Sequence, residues 1–207
     1  MRYPPEHKEQ TRVRLLEVGG ALAKQDGFGS TSIDGLAAAV GVTSGAFYSH
    51  FRSKADLLGA IVESELTRSL ALLANKSDEE LLAAVESYLG VRHVDNPAQG
   101  CAATSLSPEV ARSGPETKRI FERMMLQIRD QLASHLSSDD EAWVMISQMV
   151  GAVTIARAMT SNLDLPSLLR LTLSAAAEMV QGEIGLIALS QPADSFRIEA
   201  YPCAEFA

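Results

Sequence analysis

The chain reads as all-α. Three observations predict this. Apolar residues recur at helical spacing along most of the sequence, and strand-like alternation is scarce. Helix starts recur as Ser or Thr followed three residues on by Asp or Glu. Glycine and Gly-Pro steps separate the periodic runs. The 207 residues suit one domain or two small ones, and the balance of 46% hydrophobic to 21% charged residues is that of a globular protein.

The first predicted helix runs from about Glu6 to Asp26, with Leu15, Leu16, Leu22 and Ala23 on its apolar side and Gly27 ending it. Gly19 and Gly20 lie inside it and weaken it by roughly 1 kcal/mol each relative to alanine. Their small size offers another helix a close approach. Thr31 with Asp34 marks the N-cap of a short helix whose Ile33, Leu36, Ala37 and Val40 face inward, with Gly41 closing it. Thr43 caps a second short helix over about 44–50. Ser53 with Asp56 caps a third, reaching about Leu73.

The second half is plainer. Ser77 with Glu80 caps a helix to about Val94, and "DNPAQG" forms a loop. A segment from Ala102 to Arg112 is interrupted by Pro108. Gly114-Pro115 opens a helix carrying an Ile120, Phe121, Met124, Met125, Ile128, Leu132 stripe, and Ser138 with Glu141 caps another. Pro166 opens a last helix to about Val180. The tail over 183–207 loses the helical period and receives no assignment.

Charge is uneven. Residues 1–60 hold seven Lys/Arg against six Asp/Glu, whereas 61–207 hold eleven against twenty. A near-neutral head on an acidic body confines any nucleic-acid contact to the head. The first residues have no apolar core, so no signal peptide is expected, and the longest charge-free apolar run, 142–156, is too short to span a bilayer. Two distant cysteines, Cys101 and Cys203, argue against a disulfide scaffold or a cysteine zinc site and fit a cytoplasmic protein.

The run "TSGAFYSHFRSK" gathers Phe47, Tyr48, His50 and Phe51 in a chain that is only 5% aromatic. On a helix, Phe47 and Phe51 share a face and suit a small core, while Tyr48 lies about 100° round from Phe47. Ser44, Gly45, Ala46 and Ser49 leave the other side slim enough for a major groove, and the Gly41-Val42-Thr43 turn supplies helix-turn-helix geometry. Tyr48, His50 and Lys54 can then reach phosphates. The plainer reading, a core cluster only, accounts for Phe47 and Phe51 but leaves the polar members without a role.

The segment 11–63, with "GFGSTSI", "AAAVGVTSGAFYSHF" and "SKADLL", resembles the N-terminal domain of the TetR (tetracycline-repressor) family over about a quarter of the chain. The resemblance implies an all-α homodimer with a three-helix DNA-binding domain, here residues 1–53. It also implies a helical effector-binding and dimerisation domain, here 54–182. It places Thr43, Ser44, Gly45, Ala46 and Ser49 towards the groove, and Thr31, Ser32, Tyr48, His50 and Lys54 against the backbone. Gly19-Gly20 stands where the family usually has alanines. The small Ser44 and Ala46 replace longer base-reading side chains of some members, which shifts weight to phosphate register and DNA shape. The stretch 88–121, with His-x-Asp-x-Pro before Gly-Cys and Glu-x-Ala-Arg after, is similar to the ligand domain of one large branch. The implied partners are a near-palindromic duplex operator and a small-molecule effector, with no cofactor, metal, membrane or enzymatic role.

Other residues carry open alternatives. Cys101 suits a thiol sensor or a small residue at a helix start, and lies among the pocket candidates Cys101, Phe121, Met124, Met125 and Ile128, where methionines equally suit core packing. An enzyme using His93 and Cys101 is the weaker competitor. The stretch 142–157 is apolar almost all round and is expected to be fully buried. Its Trp143, Ile146, Ser147, Val150, Gly151, Val153 and Thr154, with Leu168, Leu171 and Ala175 of the last helix, suit either a four-helix dimer interface or monomer core.

Overall fold

The computed structural model describes residues 5–159, 170, 172–174, 184–190 and 197–202. Nine α-helices occur among them: α1 (Pro5–Asp26), α2 (Ile33–Val40), α3 (Ser44–Tyr48), α4 (Lys54–Leu73), α5 (Asp78–Tyr88), α6 (Val91–Asp95), α7 (Ala102–Arg112), α8 (Pro115–Ala133) and α9 (Asp139–Ala158). A 3₁₀ turn spans Pro97–Gln99. Within the unassigned tail, β1 (Ile184–Ser190) and β2 (Arg197–Pro202) pair antiparallel, from Ile184 opposite Pro202 to Ser190 opposite Arg197. The expected last helix lies mostly outside the described residues; 170 and 172–174 within it are helical.

Packing divides the chain into two compact units, Met1–Ser69 with Asn96–Leu126, and Leu70–Asp95 with Gln127–Ala207. The division at 53/54 is one of proposed function and remains a proposal.

In the first unit, Leu15, Leu36, Val40, Phe47, Phe51, Leu57, Ile61 and Leu66 are sealed from solvent. Each such side chain contributes roughly 1.5–3 kcal/mol relative to exposure. The glycines of α1 explain how α4 reaches it. A Cβ at Gly19 would stand 3.2 Å from Ile61 Cδ1, and one at Gly20 would stand 3.0 Å from Glu65 Oε1. The close approach expected from the Gly pair is therefore present, and it makes room for a buried ion pair that the sequence did not announce. Lys24 Nζ lies 2.6 Å from Glu65 Oε2 and donates to the Gly100 carbonyl at 3.0 Å. Arg68 meets the same Glu65 carboxylate from the rim.

In the second unit, Leu81, Val85, Leu89, Met145 and Val153 are buried. Arg157 of α9 donates to the carbonyls of His93 at 2.7 Å and Val94 at 3.2 Å, serving the C-terminal end of α6.

Several expectations need correction. The side-chain cap of α2 is Ser32, not Thr31: the Gly35 N–H donates to Ser32 Oγ at 3.0 Å. The recognition segment stops being α-helical at Tyr48 rather than near 50. The helix expected to reach Val94 breaks after Tyr88, where the Gly90 N–H turns back to the Ser87 carbonyl at 3.3 Å. Conversely, α7 runs unbroken through Pro108. Proline removes one donor, but Pro108 faces solvent while Leu106 and Val110 on either side are buried and hold the helix in place. Finally, α9 is not buried all round: Val144 is 44% and Ile155 55% exposed. No helix among the described residues is long and apolar enough to cross a membrane.

Candidate nucleic-acid interface

The interface is built on α2, α3 and the turn between them. Ser32 starts α2, and Gly41 ends it in the left-handed region at φ 76°. Gly41 N–H donates to Ala38 O at 3.0 Å and Val42 N–H to Ala37 O at 2.9 Å. This is a Schellman-type stop, and a residue with a Cβ would be strained at position 41. Val42 is half-buried and anchors the turn. Thr43 then starts α3, its Oγ1 accepting from the Ala46 N–H at 3.2 Å. The cap expected from the sequence at Thr43 is present.

Orientation of α3 follows from its rings. Phe47 is 0% and Phe51 1% exposed, with centroids 5.8 Å apart, while Tyr48 is 56% exposed and stands edge-on to Phe47. Thr43, Gly45 and Ser49 are exposed, and Ser44 and Ala46 half-exposed. Bulk lies inward and the slim side outward. A helix of this cross-section can lie in a major groove, where base edges are read.

Several of the candidate contacts are already engaged within the chain. Ser44 Oγ donates to the Asp34 carboxylate of α2, tying the two helices across the turn. Lys54 Nζ donates to the Gly29 carbonyl at 3.1 Å and lies 4.8 Å from the Phe28 ring centroid, pinning the loop before α2 to the start of α4. Ser49 Oγ bonds back to Ala46 O at 2.7 Å. Ser32 is exposed and Thr31 half-exposed.

His50 has neighbours that sequence reasoning missed. Arg12 of α1 donates from Nη1 to the His50 carbonyl at 3.3 Å, and its guanidinium stands 4.5 Å over the Phe51 ring. Partial burial holds the His50 imidazole below its ordinary value. The cations of Lys8 and Arg12 push it the same way, against the weaker opposing pull of Glu9. The available signal was the Lys8-to-Arg12 spacing of four, which places two cations on one face of α1.

The other candidates are placed as follows. Cys101 is half-buried at the N-cap of α7, and its carbonyl accepts from Thr104 Oγ1 at 2.7 Å. Met124, Met125 and Ile128 are buried and Phe121 half-buried. His93 Nδ1 lies 2.6 Å from the Tyr88 carbonyl, and its ring packs edge-on to that of Tyr88. On α9, Ile146 and Val153 are buried, at 7% and 0% exposure. Ser147 and Thr154 are exposed, and Trp143, Val150 and Gly151 half-exposed. Leu168, Leu171 and Ala175 lie outside the described residues. Among the described residues, no group of three or more His, Cys, Asp or Glu side chains is placed to hold a metal.

An inward-ringed short helix behind a glycine-closed turn is the geometry of a helix-turn-helix motif. Residues 15–61 match the family model described as bacterial regulatory proteins, tetR family. The matched head, residues 15–61, carries the signature of the tetR family of bacterial regulatory proteins. It is similar to the HTH-type transcriptional regulator AcrR of Shigella flexneri, 46% identical over 55 residues, or 27% of this chain and 26% of that one. It is also similar to the probable HTH-type transcriptional regulator ArpR of Pseudomonas putida, 32% identical over 82 residues, or 39% of each chain. The matches thus span only about a quarter and two-fifths of these relatives' lengths. Among solved structures, a TetR-family regulator from Cytophaga hutchinsonii aligns with TM-score 0.70 at 17% identity, covering 87% of this chain and 99% of that one. The reduced form of E. coli NemR aligns with TM-score 0.66 at 23% identity, covering 79% and 95%. These two share the fold.

Proposed function

We propose that this chain is a repressor that binds a near-palindromic operator as a homodimer and is released by a small-molecule effector. The observation that carries the DNA reading is the two-sidedness of α3, with Phe47 and Phe51 sealed inside and Thr43, Gly45, Tyr48 and Ser49 presented outward. One five-residue helix supplies few contacts, so two copies are required, with their recognition helices about 34 Å apart on one face of the duplex. Thr43, Gly45, Ala46 and Ser49 face the groove; Thr31, Ser32, Tyr48, His50 and Lys54 contact the backbone. Ser44 contributes mainly through its bond to Asp34, which sets the angle between α2 and α3.

Dimerisation is proposed through the outward face of α9, where Val144, Ser147, Thr154 and Ile155 are exposed. The effector is proposed to bind the helical body, residues 54–182, in a cytoplasmic protein. It acts only through unequal affinity for the two shapes, about 1.4 kcal/mol for each tenfold difference.

The test is selection of duplexes from a fragment library of the source genome, followed by gel shift. Retained fragments should share an inverted repeat, binding should fall steeply with salt, and Tyr48→Ala should abolish retention without unfolding. Recovery of no fragment at low salt would overturn the reading. A second reading, thiol sensing, rests on the half-buried Cys101 at the start of α7. Alkylation with iodoacetamide should then release bound duplex from the wild type and leave Cys101→Ser bound.

A further inference from the structure

We propose that α7 is a working part of the DNA-reading head, and that Glu109 on it is a positioning residue for the backbone contacts at the start of α2. The inference rests on the DNA reading above and adds to it a residue far from the helix-turn-helix in sequence.

The loop between α1 and α2 carries two of the proposed backbone contacts, Thr31 and Ser32. At its beginning Gly27 stands at φ 84°, and Ser30 Oγ lies within donating distance of the carbonyls of Asp26, at 2.8 Å, and Gly27, at 2.7 Å. Phe28 is turned inward at 6% exposure. At its end Ser32 accepts from the Gly35 N–H and starts α2. Between these ends, Gly29 is held from two sides. Its N–H donates to Glu109 Oε1 of α7 at 3.4 Å, and its carbonyl accepts from Lys54 Nζ of α4 at 3.1 Å.

The Glu109 carboxylate overlies this loop. The same Oε1 would stand 3.8 Å from a Cβ at Gly27 and 3.7 Å from one at Gly29. Its Oε2 lies 3.6 Å from Arg112, which steers the carboxylate from its own helix. Gly29 precedes Thr31 and Ser32 by two and three residues, so the path of its peptide sets where their hydroxyls are presented.

Helix α7 is itself firmly seated. Leu106 is 0% and Val110 4% exposed, and the Gly100 carbonyl just before the helix accepts from the buried Lys24 of α1 at 3.0 Å. The chain around α7 is thus tied to α1 before its first residue and to the α1–α2 loop at its last turn. The compact unit has the same composition, taking in 1–69 and 96–126 together. By charge alone, a carboxylate near phosphate-contacting residues opposes DNA binding. Its reach to Gly29 favours binding. The two effects predict opposite results of substitution, which separates them.

The test uses the full chain and a fluorescent duplex recovered in the selection above, with affinity read by anisotropy. Glu109→Gln removes the charge and keeps an acceptor at the same reach. Glu109→Asp keeps the charge and draws it back by one methylene. Glu109→Ala removes both. Glu109→Gln should bind at least as tightly as the wild type. Glu109→Asp and Glu109→Ala should each bind roughly threefold to tenfold more weakly, the range of one lost hydrogen bond. Amide exchange at Gly29, followed by NMR on the free protein, should quicken in those two variants and stay slow in Glu109→Gln. A role confined to global stability moves neither reading while the chain stays folded, which urea denaturation checks. Glu109→Asp carries the test if Glu109→Ala fails to fold. Affinities that rank by charge, with Glu109→Gln and Glu109→Ala both tighter than the wild type and Glu109→Asp unchanged, would overturn the positioning role while leaving DNA binding intact. So would a Gly29 exchange rate that none of the substitutions alters. Failure of the wild type to retain any duplex would overturn the DNA reading and the positioning role with it.

Discussion

Gly20 and Glu65 show how one absent methyl group shapes a core. An alanine Cβ at Gly20 would press on the Glu65 carboxylate at 3.0 Å, and that carboxylate already holds Lys24 and Arg68. Gly20→Ala is expected to destabilise the chain by about 1–3 kcal/mol despite alanine's better helix propensity, measured by urea denaturation. Gly19→Ala should cost less, because its contact is the movable end of Ile61. The ion pair predicts an asymmetry. Lys24→Met leaves Glu65 with Arg68, whereas Glu65→Leu strands a lysine that is 1% exposed with only the Gly100 carbonyl. Glu65→Leu should therefore be the worse change, near the roughly 3–5 kcal/mol typical of a stranded buried charge. Equal destabilisation in the two variants would mean that the pair is more solvated than its burial indicates. His50 adds a pH signature to the free protein. Its folded value lies below the ordinary one, so the unfolded chain binds more protons at mildly acid pH. Its contribution to stability is present above ~6.5 and is lost as pH falls through the folded value. The Tm of the wild type relative to His50→Gln should accordingly drop on acidification through that window.

At the scale of elements, caps decide where helices begin. Thr43 holds the first turn of α3 through the Ala46 N–H, and a helix of five residues has little else to hold it. Thr43→Ala should cost about 1 kcal/mol in global stability and lower operator affinity further, because the recognition turn frays. Thr43→Ser should restore both. The α5 start is a reciprocal box between Ser77 and Glu80, and hydrogen bonds from the Ser77 backbone and side chain hold the Glu80 carboxyl below its ordinary value. Its contribution is present above the ordinary carboxylate range and disappears as pH falls through the lowered value. Glu80→Gln should lower the neutral plateau of the stability profile and flatten its acid limb. Sequence spacing located the caps at Thr43, Ser53, Ser77 and Ser138 because such pairs are local chemistry. It misplaced the α2 cap by one residue, since Thr31 and Ser32 are both competent and only the path of the loop selects between them.

At the scale of the whole molecule, the exposed Val144 and Ile155 of α9 are the residues to challenge. Ile155→Glu is expected to shift the chain towards monomer in sedimentation velocity and to reduce operator affinity, while leaving the unfolding transition of the monomer in place. A dimer unaffected by this change would place the interface elsewhere. The core does not share that exposure: Val153→Ala should instead lower stability by about 1 kcal/mol or more, since Val153 is 0% exposed.

By itself the sequence determined the helical class, most helix starts, and the inward turn of Phe47 and Phe51. Each depends on residues within about four positions of one another, the range of helical periodicity and capping. Only the tertiary structure decided the partners of Glu65, the Arg12 support of His50, the capture of Lys54 by Gly29 and the open side of α9. Those contacts join segments up to 41 positions apart, as between Lys24 and Glu65, and nothing in local spacing encodes which distant carbonyl or carboxylate folding brings alongside.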